Sequence, residues 1–185
     1  MPKTVHLTTP LKSEDIIDLH IGDQVYISGT IYTARDAAHK RLVKLIEDGE
    51  EMPFDLKGQI IYYVGPAPAP TGKPIGSAGP TTSYRMDPYS PILLENGLKA
   101  MIGKGPRSTE VIESMIKNKA IYLAAIGGAA VVMATSIKEA EIIAYEDLGA
   151  EAIRKLRVED LPCIVANDVN GNDIYQEGVA KYKRD

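Results

Sequence analysis

The sequence predicts one α/β domain built on a mixed sheet with a barrel-like part. Strand-like and helix-like segments follow one another without the regular strand–helix alternation of an all-parallel fold. The 185 residues suit a single domain, and neither an internal repeat nor a long linker divides them. We therefore expect one domain over residues 1–185, folded along its whole length because 44% of its residues are apolar and 25% charged.

In the first half of the chain, period-two apolar runs predict strands and amphipathic runs predict helices. The clearest strand covers residues 24–32, with Gly29 as a bulge, and should deliver Arg35 at its end. Asp36 is expected to cap the following helix and Gly49 to end it. The remaining predicted elements are a strand at 5–8, a short helix opening at Ser13, the helix at 36–47 and a buried strand at 57–64.

Residues 65–80 form the main irregular segment of the prediction. They include five prolines and four glycines, too many for a helix or a strand. This loop leads into the polar stretch described below.

The second half alternates between short strands and helices. Helices are predicted at 88–96, 108–117 and 150–156, and strands at 98–102, 120–126, 141–145 and 163–167. Gly127-Gly128 should break the core strand, and the small and apolar residues 129–137 favour a helix over a strand. Asn170-Gly171-Asn172 predicts a hairpin with Ile174 pairing back, followed by a frayed basic tail from Lys181.

Charge and composition exclude several functions. A net charge of −4 argues against a broad nucleic-acid surface. The start of the chain lacks a signal-peptide core, and the longest apolar run, residues 120–134, is too short to span a bilayer. We therefore expect a cytoplasmic protein that interacts with neither nucleic acid nor membrane.

The sequence also predicts no metal site within the chain. Cys163 is the only cysteine, so a disulfide or a thiolate-ligated cluster cannot be built by this chain alone, and its apolar neighbours predict a buried thiol. The three histidines, His6, His20 and His39, are scattered without metal-ligand spacing.

The stretch from Gly79 to Gly105 concentrates the polar chemistry of the chain. Thr81, Thr82 and Ser83 lie between a glycine and Arg85, so an anion would meet hydroxyl, backbone N–H and guanidinium donors together. For Thr82 and Ser83, local hydrogen bonds to the backbone explain the residue type equally well.

Lys104 lies between two glycines at the far end of the same stretch. The glycines leave the backbone open to close approach, although a surface turn that carries a lysine fits the pattern as well. If Arg35, Arg85 and Lys104 converge, their charges suit a small dicarboxylate, because guanidinium groups bind planar carboxylates at two points. The alternative is that each cation makes an ordinary surface ion pair.

The same stretch resembles a known family. Gly-Pro-Thr-Thr at 79–82 with Arg-Met-Asp at 85–87, and Gly-Leu-Lys-Ala-Met-Ile-Gly-Lys-Gly at 97–105, resemble the β subunit, or C-terminal domain, of class I fumarases and L-tartrate dehydratases. Motifs at 22–25, 28–30, 34–39 and 145–149 agree with that family in order, so the resemblance covers essentially the whole chain.

The resemblance implies a fold, an activity and a partner. The fold would be of the swivelling β/β/α type. The activity would be reversible hydration of a small dicarboxylic acid, with fumarate and L-malate favoured over tartrate and a place in the tricarboxylic acid cycle. A [4Fe–4S] cluster would be held by three cysteines of an α subunit in an α2β2 complex, and not by this chain.

The resemblance also implies roles for individual residues. Arg35, Arg85 and Lys104 would hold the substrate carboxylates, and Thr81 would transfer the proton at the reacting carbon. Gly79 and Thr82 would shape the substrate-binding loop. An unassisted threonine hydroxyl is a very weak base, so Thr81 would need a neighbouring charge or a partner residue. A non-catalytic module that binds small carboxylates remains the second hypothesis.

Overall fold

The computed structural model describes residues 1–125 and 130–183, which form a mixed seven-stranded sheet with helices packed around it. The strands are β1 (Thr4–Thr8), β2 (Gln24–Thr33), β3 (Ile60–Tyr62), β4 (Ala100–Gly103), β5 (Ile121–Ala125), β6 (Ile137–Ala144) and β7 (Ile153–Asn167). The helices are α1 (Ser13–Ile16), α2 (Asp36–Glu47), α3 (Ser90–Glu95), α4 (Thr109–Asn118), α5 (Ala130–Ser136) and α6 (Ile174–Tyr182), with 3₁₀ turns at Ser83–Met86 and Glu146–Glu151.

Five of the strands close into a barrel-like arrangement. β2, β3, β4 and β5 are parallel neighbours, and the long antiparallel β7 pairs with both β5 and β2. β1 adds to β2 in parallel, and β6 adds to β7 in antiparallel. The predicted mixed sheet with a barrel-like part is therefore confirmed.

The two faces of the sheet carry separate apolar cores. Alternate residues of β3 point to opposite sides, so Ile60 and Tyr62 enter one core while Ile61 packs in the other. The first core fills the barrel, and the second lies between the sheet and helices that include Leu42 of α2 and Met115 of α4. Because both faces are covered, β3 reads as a continuous apolar run in the sequence.

Gly29 marks the predicted bulge in β2. The register between β2 and β7 shifts between Ile27 and Gly29, and Gly29 has a φ of +109°. A Cβ at this position would lie 2.4 Å from Thr9 Oγ1. Glycine is thus required here both by the backbone conformation and by the close approach of the chain.

The predicted helix at 150–156 is wrong. Residues Glu146–Glu151 form a 3₁₀ turn, and β7 begins at Ile153. Ile153 and Leu156 have the spacing of a helix face, but both are buried within β7, where Leu156 pairs with β2 and β6 and Ile153 pairs with β6. Long-range strand pairing therefore overrides the local pattern.

The predicted hairpin at 170–172 is also wrong, because α6 follows the turn. The carboxylate of Asp168 accepts hydrogen bonds from the backbone N–H groups of Asn170 and Asn172, and Asp173 caps α6 by accepting from Tyr175 N. Only the single bridge between Asn167 and Asp173 resembles the predicted pairing. The basic tail is helical to Tyr182, and its last two residues lie outside the described ones.

One smaller prediction fails at a helix start. Arg35, and not Asp36, precedes the first turn of α2, and Asp36 makes no capping hydrogen bond. α1 begins at Ser13 as predicted, but Lys12 occupies the capping position for which Ser13 is the more typical residue type. α5 forms where a helix was favoured, whereas the predicted break at Gly127-Gly128 lies outside the described residues.

Among the described helices, none combines the length and the apolar character that a bilayer crossing requires.

Candidate anion-binding site

Three of the predicted site residues lie at one edge of the sheet, where the parallel strands β2, β3 and β4 end. Arg35 follows β2 and Lys104 follows β4 directly. Thr81 returns to the end of β3, where its backbone N–H donates to Tyr63 O at 2.6 Å. Because neighbouring strands are about 4.8 Å apart, the backbones of these residues span roughly 10 Å. Ligands of open parallel sheets bind at such carboxyl ends.

The threonine loop and the lysine turn are hydrogen-bonded to each other. Lys104 N–H donates to Thr81 O at 3.4 Å, and Ser83 N–H donates to Lys104 O at 2.9 Å. Thr82 thereby forms a parallel bridge with Lys104. The Thr81 backbone is thus held beside the base of the lysine side chain.

The two glycines that flank Lys104 are required for different structural reasons. Gly105 has a φ of +82°, which disfavours any side chain. A Cβ at Gly103 would lie 2.0 Å from Ser83 Oγ and 2.9 Å from a ring carbon of Tyr63. Gly103 therefore permits the close contact between the loop and the end of β4.

Arg35 is half-buried and lies close to two carboxylates. Its Nε is 3.7 Å from Glu151 Oε1 and 3.9 Å from Asp36 Oδ1, and neither contact is a hydrogen bond. The guanidinium packs over Gly65, where a Cβ would lie 3.1 Å from Nη1. The positive charge of Arg35 is thus partly balanced by two carboxylates, while its Nε–H donates no hydrogen bond to the described residues.

Arg85 and Lys104 are exposed cations. Across residues 1–125 and 130–183, the structure shows no ion pair and no side-chain hydrogen bond for either one. Arg85 lies on the 3₁₀ turn that follows the threonine loop. The alternative of an ordinary surface ion pair therefore does not describe these two residues, whereas Arg35 does lie near carboxylates.

The remaining residues of the loop differ in exposure. Thr81, Thr82 and Gly79 are partly exposed, and a Cβ at Gly79 would approach the Ala130 Cβ to 3.4 Å. Ser83 is fully buried, and its hydroxyl lies 2.7 Å from the Tyr122 hydroxyl. Ser83 therefore faces the interior, and its hydroxyl bonds a side chain remote in sequence, not the local backbone of its alternative interpretation.

A buried arginine beneath the site was missed by the sequence analysis. Arg107 Nε donates to Asp87 Oδ1 at 2.7 Å, and Nη2 donates to Ser90 Oγ at 2.8 Å and to the Tyr63 hydroxyl at 3.2 Å. Burial acts to lower the pKa of Arg107, but Tyr63 and Asp87 outweigh it and the pKa is raised. Arg107 follows the lysine turn closely in sequence, yet nothing in its spacing predicts burial.

His39 was also missed, having been considered only as an isolated histidine. It is fully buried in α2, and its Nδ1 lies 2.8 Å from Arg35 O. A carbonyl oxygen only accepts, so Nδ1 carries the proton and donates. Burial lowers the pKa of His39 to about 4, so the ring is neutral near pH 7. The spacing of four residues from Arg35 within a helix is the signal that could have identified this contact.

A mostly apolar pocket of about 410 Å³ lies elsewhere on the chain. It is lined by the proline-rich loop, including Pro70 and Ile75, and by α5, including Val131. Arg35, Thr81 and Lys104 do not line it. The candidate site is therefore assigned to the sheet edge, where the cations and hydroxyls lie.

The described residues offer no ligand set for a metal ion or cluster. No group of three or more His, Cys, Asp or Glu side chains among them could hold a metal. Cys163 is fully buried, and burial raises the pKa of its thiol. A buried, protonated thiol is a poor ligand.

Comparisons with known proteins show the family to which the chain belongs. The family described as "Fumarase C-terminus" matches residues 1–178. Over 181 residues the chain is 42% identical to "Fumarate hydratase class I, anaerobic" of Escherichia coli (strain K12), covering 96% of this chain and 33% of that protein. The chain thus spans about a third of the length of the fumarate hydratases that it matches.

Two similar proteins have nearly the length of this chain. "Putative L(+)-tartrate dehydratase subunit beta" of Methanocaldococcus jannaschii is 38% identical over 173 residues, which cover 90% of this chain and 89% of that protein. "L(+)-tartrate dehydratase subunit beta" of Escherichia coli (strain K12) is 37% identical over 176 residues, which cover 92% of this chain and 86% of that protein. The chain therefore belongs to the fumarase C-terminal family. Some members are part of a longer fumarate hydratase, and others are separate β subunits.

Proposed function

We propose that this chain is the β subunit of a hydro-lyase that adds water to, or removes it from, a small dicarboxylic acid. Fumarate and L-malate are the favoured pair, and tartrate is the next candidate. The β subunits among the relatives, which match over most of their length, support a separate subunit that works with an α partner.

One observation carries the proposal. Arg35, Thr81 and Lys104 come from distant parts of the chain to the carboxyl ends of three neighbouring parallel strands, in a member of the fumarase C-terminal family. Two cations beside one hydroxyl suit a diacid whose reacting carbon lies between its carboxylates.

The proposed roles follow from the chemistry of each residue. Arg35, Arg85 and Lys104 bind the carboxylates, and Gly79 and Thr82 shape the loop around them. In its deprotonated form, the Thr81 oxygen accepts the proton that leaves the carbon next to the hydroxyl-bearing one, and the hydroxyl so formed returns that proton in the hydration direction. We assign to Lys104, whose backbone is hydrogen-bonded to that of Thr81, the role of stabilising the deprotonated oxygen, because a positive charge favours a nearby anion.

Hydroxide is a poor leaving group, and we propose that a Lewis acid outside this chain accepts it in dehydration. The described residues do not fit an iron–sulfur cluster, since the chain has one cysteine and that residue is buried. We assign a [4Fe–4S] cluster to the α subunit, where one iron would act as a Lewis acid. The α2β2 stoichiometry is part of the same proposal.

The test combines this chain anaerobically with a cluster-bearing α subunit and measures malate dehydration. The isolated chain should be colourless and inactive, and the combined pair active. Thr81→Ala should lower kcat by about a hundredfold or more while changing KM little, because proton transfer acts in the transition state. Thr71→Ala, the same change at an exposed position of the preceding loop, is the matched control and should behave as wild type.

Three outcomes would contradict the proposal. Turnover by the chain without partner or iron would remove the need for an α subunit. An unchanged kcat for Thr81→Ala would exclude its catalytic role. Binding of malate by the combined pair without any turnover would favour a carboxylate-binding module. Native mass measurement of the complex would test the α2β2 assignment.

A further inference from the structure

Tyr122 of β5 joins the two segments that carry the candidate site. Its hydroxyl lies 2.8 Å from Gly105 O and 2.7 Å from Ser83 Oγ. Tyr122 is fully buried, so the hydroxyl has no access to bulk water. Ser83 belongs to the segment of Thr81, and Gly105 adjoins Lys104.

The direction of both hydrogen bonds can be deduced. The Gly105 carbonyl can only accept, so Tyr122 donates its single proton to it. The Ser83 hydroxyl must then donate to the Tyr122 oxygen. Burial raises the pKa of Tyr122, which keeps the hydroxyl protonated and able to donate at any physiological pH.

This bridge adds to two backbone hydrogen bonds of unequal length. Ser83 N–H reaches Lys104 O at 2.9 Å, but the bond from Lys104 N–H to Thr81 O is long at 3.4 Å. Hydrogen bonds weaken as they lengthen beyond about 3.2 Å. The Tyr122 hydroxyl therefore supplies a further connection between the threonine loop and the lysine turn, beside one normal and one long backbone bond.

The Tyr122 ring is itself held in place. The Arg107 guanidinium lies 4.9 Å from the centre of the ring, and Arg107 is anchored by Asp87 at 2.7 Å and Ser90 at 2.8 Å. Cation–π contacts of buried arginines are stronger than exposed ones. The bridging hydroxyl is thus presented by a rigid ring.

We propose that Tyr122 is a positioning residue: by accepting from Ser83 and donating to Gly105, it holds Thr81 and Lys104 at the separation that catalysis needs. This inference rests on the proposed hydro-lyase function. Misplacement of reacting groups by about 1 Å can lower a rate a hundredfold. Loss of the bridge should therefore affect proton transfer more than substrate binding.

The kinetic test uses the chain combined with its α subunit and malate as substrate. Tyr122→Phe should lower kcat per folded molecule by roughly ten- to a hundredfold, with KM changed by less than about threefold. Ser83→Ala breaks the same bridge, so the double variant should be no slower than the slower single variant. Effects that multiply in the double variant would show that the two residues act independently and would overturn the proposal.

A second measurement separates positioning from general destabilisation. In Tyr122→Phe, the amides of Ser83 and Lys104 should exchange with deuterium at least about tenfold faster, because each donates across the bridged segments. Tyr62→Phe is the matched control, since it also removes a buried tyrosine hydroxyl, one that donates to Ala78 O. In that variant the Ser83 and Lys104 amides should stay protected.

Each failure has its own signature. A wild-type pair without hydro-lyase activity would refute the proposed function. An active pair in which Tyr122→Phe keeps wild-type kcat, or keeps wild-type protection at Ser83 and Lys104, would refute the positioning role alone.

Discussion

Arg35 and Lys104 carry the same charge at the same sheet edge, but their surroundings differ. Arg35 is half-buried within 4 Å of Glu151 and Asp36, whereas Lys104 is exposed and sits on a glycine-flanked turn. Neighbouring carboxylates reduce the net attraction of Arg35 for an anion and help to orient its guanidinium. Lys104 therefore contributes mainly positive charge to the site, and Arg35 contributes a guanidinium of fixed orientation.

Lys104→Ala should raise KM for the diacid about three- to tenfold at low ionic strength, because one exposed charge is worth about 1 kcal/mol. The ratio of mutant to wild-type KM should fall toward one as salt is added, since salt screens the exposed ammonium. The measurement is KM of the wild-type and mutant α–β pairs between 10 mM and 500 mM salt. Over this range the Debye length falls from about 30 Å to about 4 Å. A KM ratio that does not depend on salt would place Lys104 outside the site.

Arg85→Lys should lower kcat/KM by about tenfold or more although the charge is kept. An ammonium cannot reproduce the planar two-point contact that a guanidinium makes with a carboxylate. Arg85 has no ion pair with the rest of the described chain, so the change should leave the melting temperature as it is. Steady-state kinetics measures the fall in kcat/KM, and thermal unfolding measures the melting temperature. A kcat/KM equal to that of the wild type would show that Arg85 does not contact the substrate.

At the scale of elements, the site depends on the junction between the threonine loop and the end of β4. Neither segment is a regular helix or a long strand, so the junction is held by a bridge at Thr82 and Lys104 and by the close approach of Ser83 to Gly103. The 3₁₀ turn that contains Asp147 is docked onto α2 in a similar way, because Arg41 donates two hydrogen bonds to that carboxylate at 2.9 and 2.6 Å. Irregular segments are thus fixed by a backbone bridge in the first case and by side-chain hydrogen bonds in the second.

Gly103→Ala should lower the free energy of unfolding by about 2 kcal/mol, because the added methyl group would overlap Ser83 Oγ and the Tyr63 ring. It should also lower kcat, since Ser83 must move and Thr81 moves with it. Gly178→Ala is the matched control: this glycine lies within α6 with nothing within 4 Å of an added Cβ, so stability should rise by about 0.5–1 kcal/mol. Denaturant unfolding measures the free energy of unfolding of both variants. An equal change in the two variants would refute the packing argument.

For the molecule as a whole, the site lies above a core that contains buried polar groups. His39 and Arg107 are both buried on the helix side of the sheet, together with Tyr63 and Tyr122. Buried polar groups are costly unless they are paired, so this layer makes folding sensitive to protonation.

His39 should make stability fall as pH falls from about 6.5 to about 4. Burial lowers the pKa of His39 to about 4, below the 6.5 of an unfolded histidine, so the unfolded chain binds the proton more readily. Its contribution, on the order of 3 kcal/mol, is full above pH 6.5 and is lost as pH drops through 4. Denaturant unfolding at several pH values should show a shallower acid slope for His39→Phe, and identical slopes would contradict this assignment.

Much of the fold could be predicted because local signals agreed with the final packing. The apolar period of α2, the cap Ser108 before α4 and the bulge at Gly29 are each determined by residues within one segment. The helix predicted at 150–156 failed because β7 exists only through its pairing with β2, β5 and β6. Such pairing depends on residues far away in the chain.

The sequence by itself determined which residues could carry anion chemistry: the cations Arg35, Arg85 and Lys104 and the hydroxyls from Thr81 to Ser83. Only the tertiary structure decided which of them share a sheet edge, because parallel pairing of β2, β3 and β4 aligns strand ends that are remote in sequence. It also decided that Ser83 faces inward and that Arg107 and His39 are buried. Burial results from the packing of several elements together, so it is not encoded in the neighbours of any one residue.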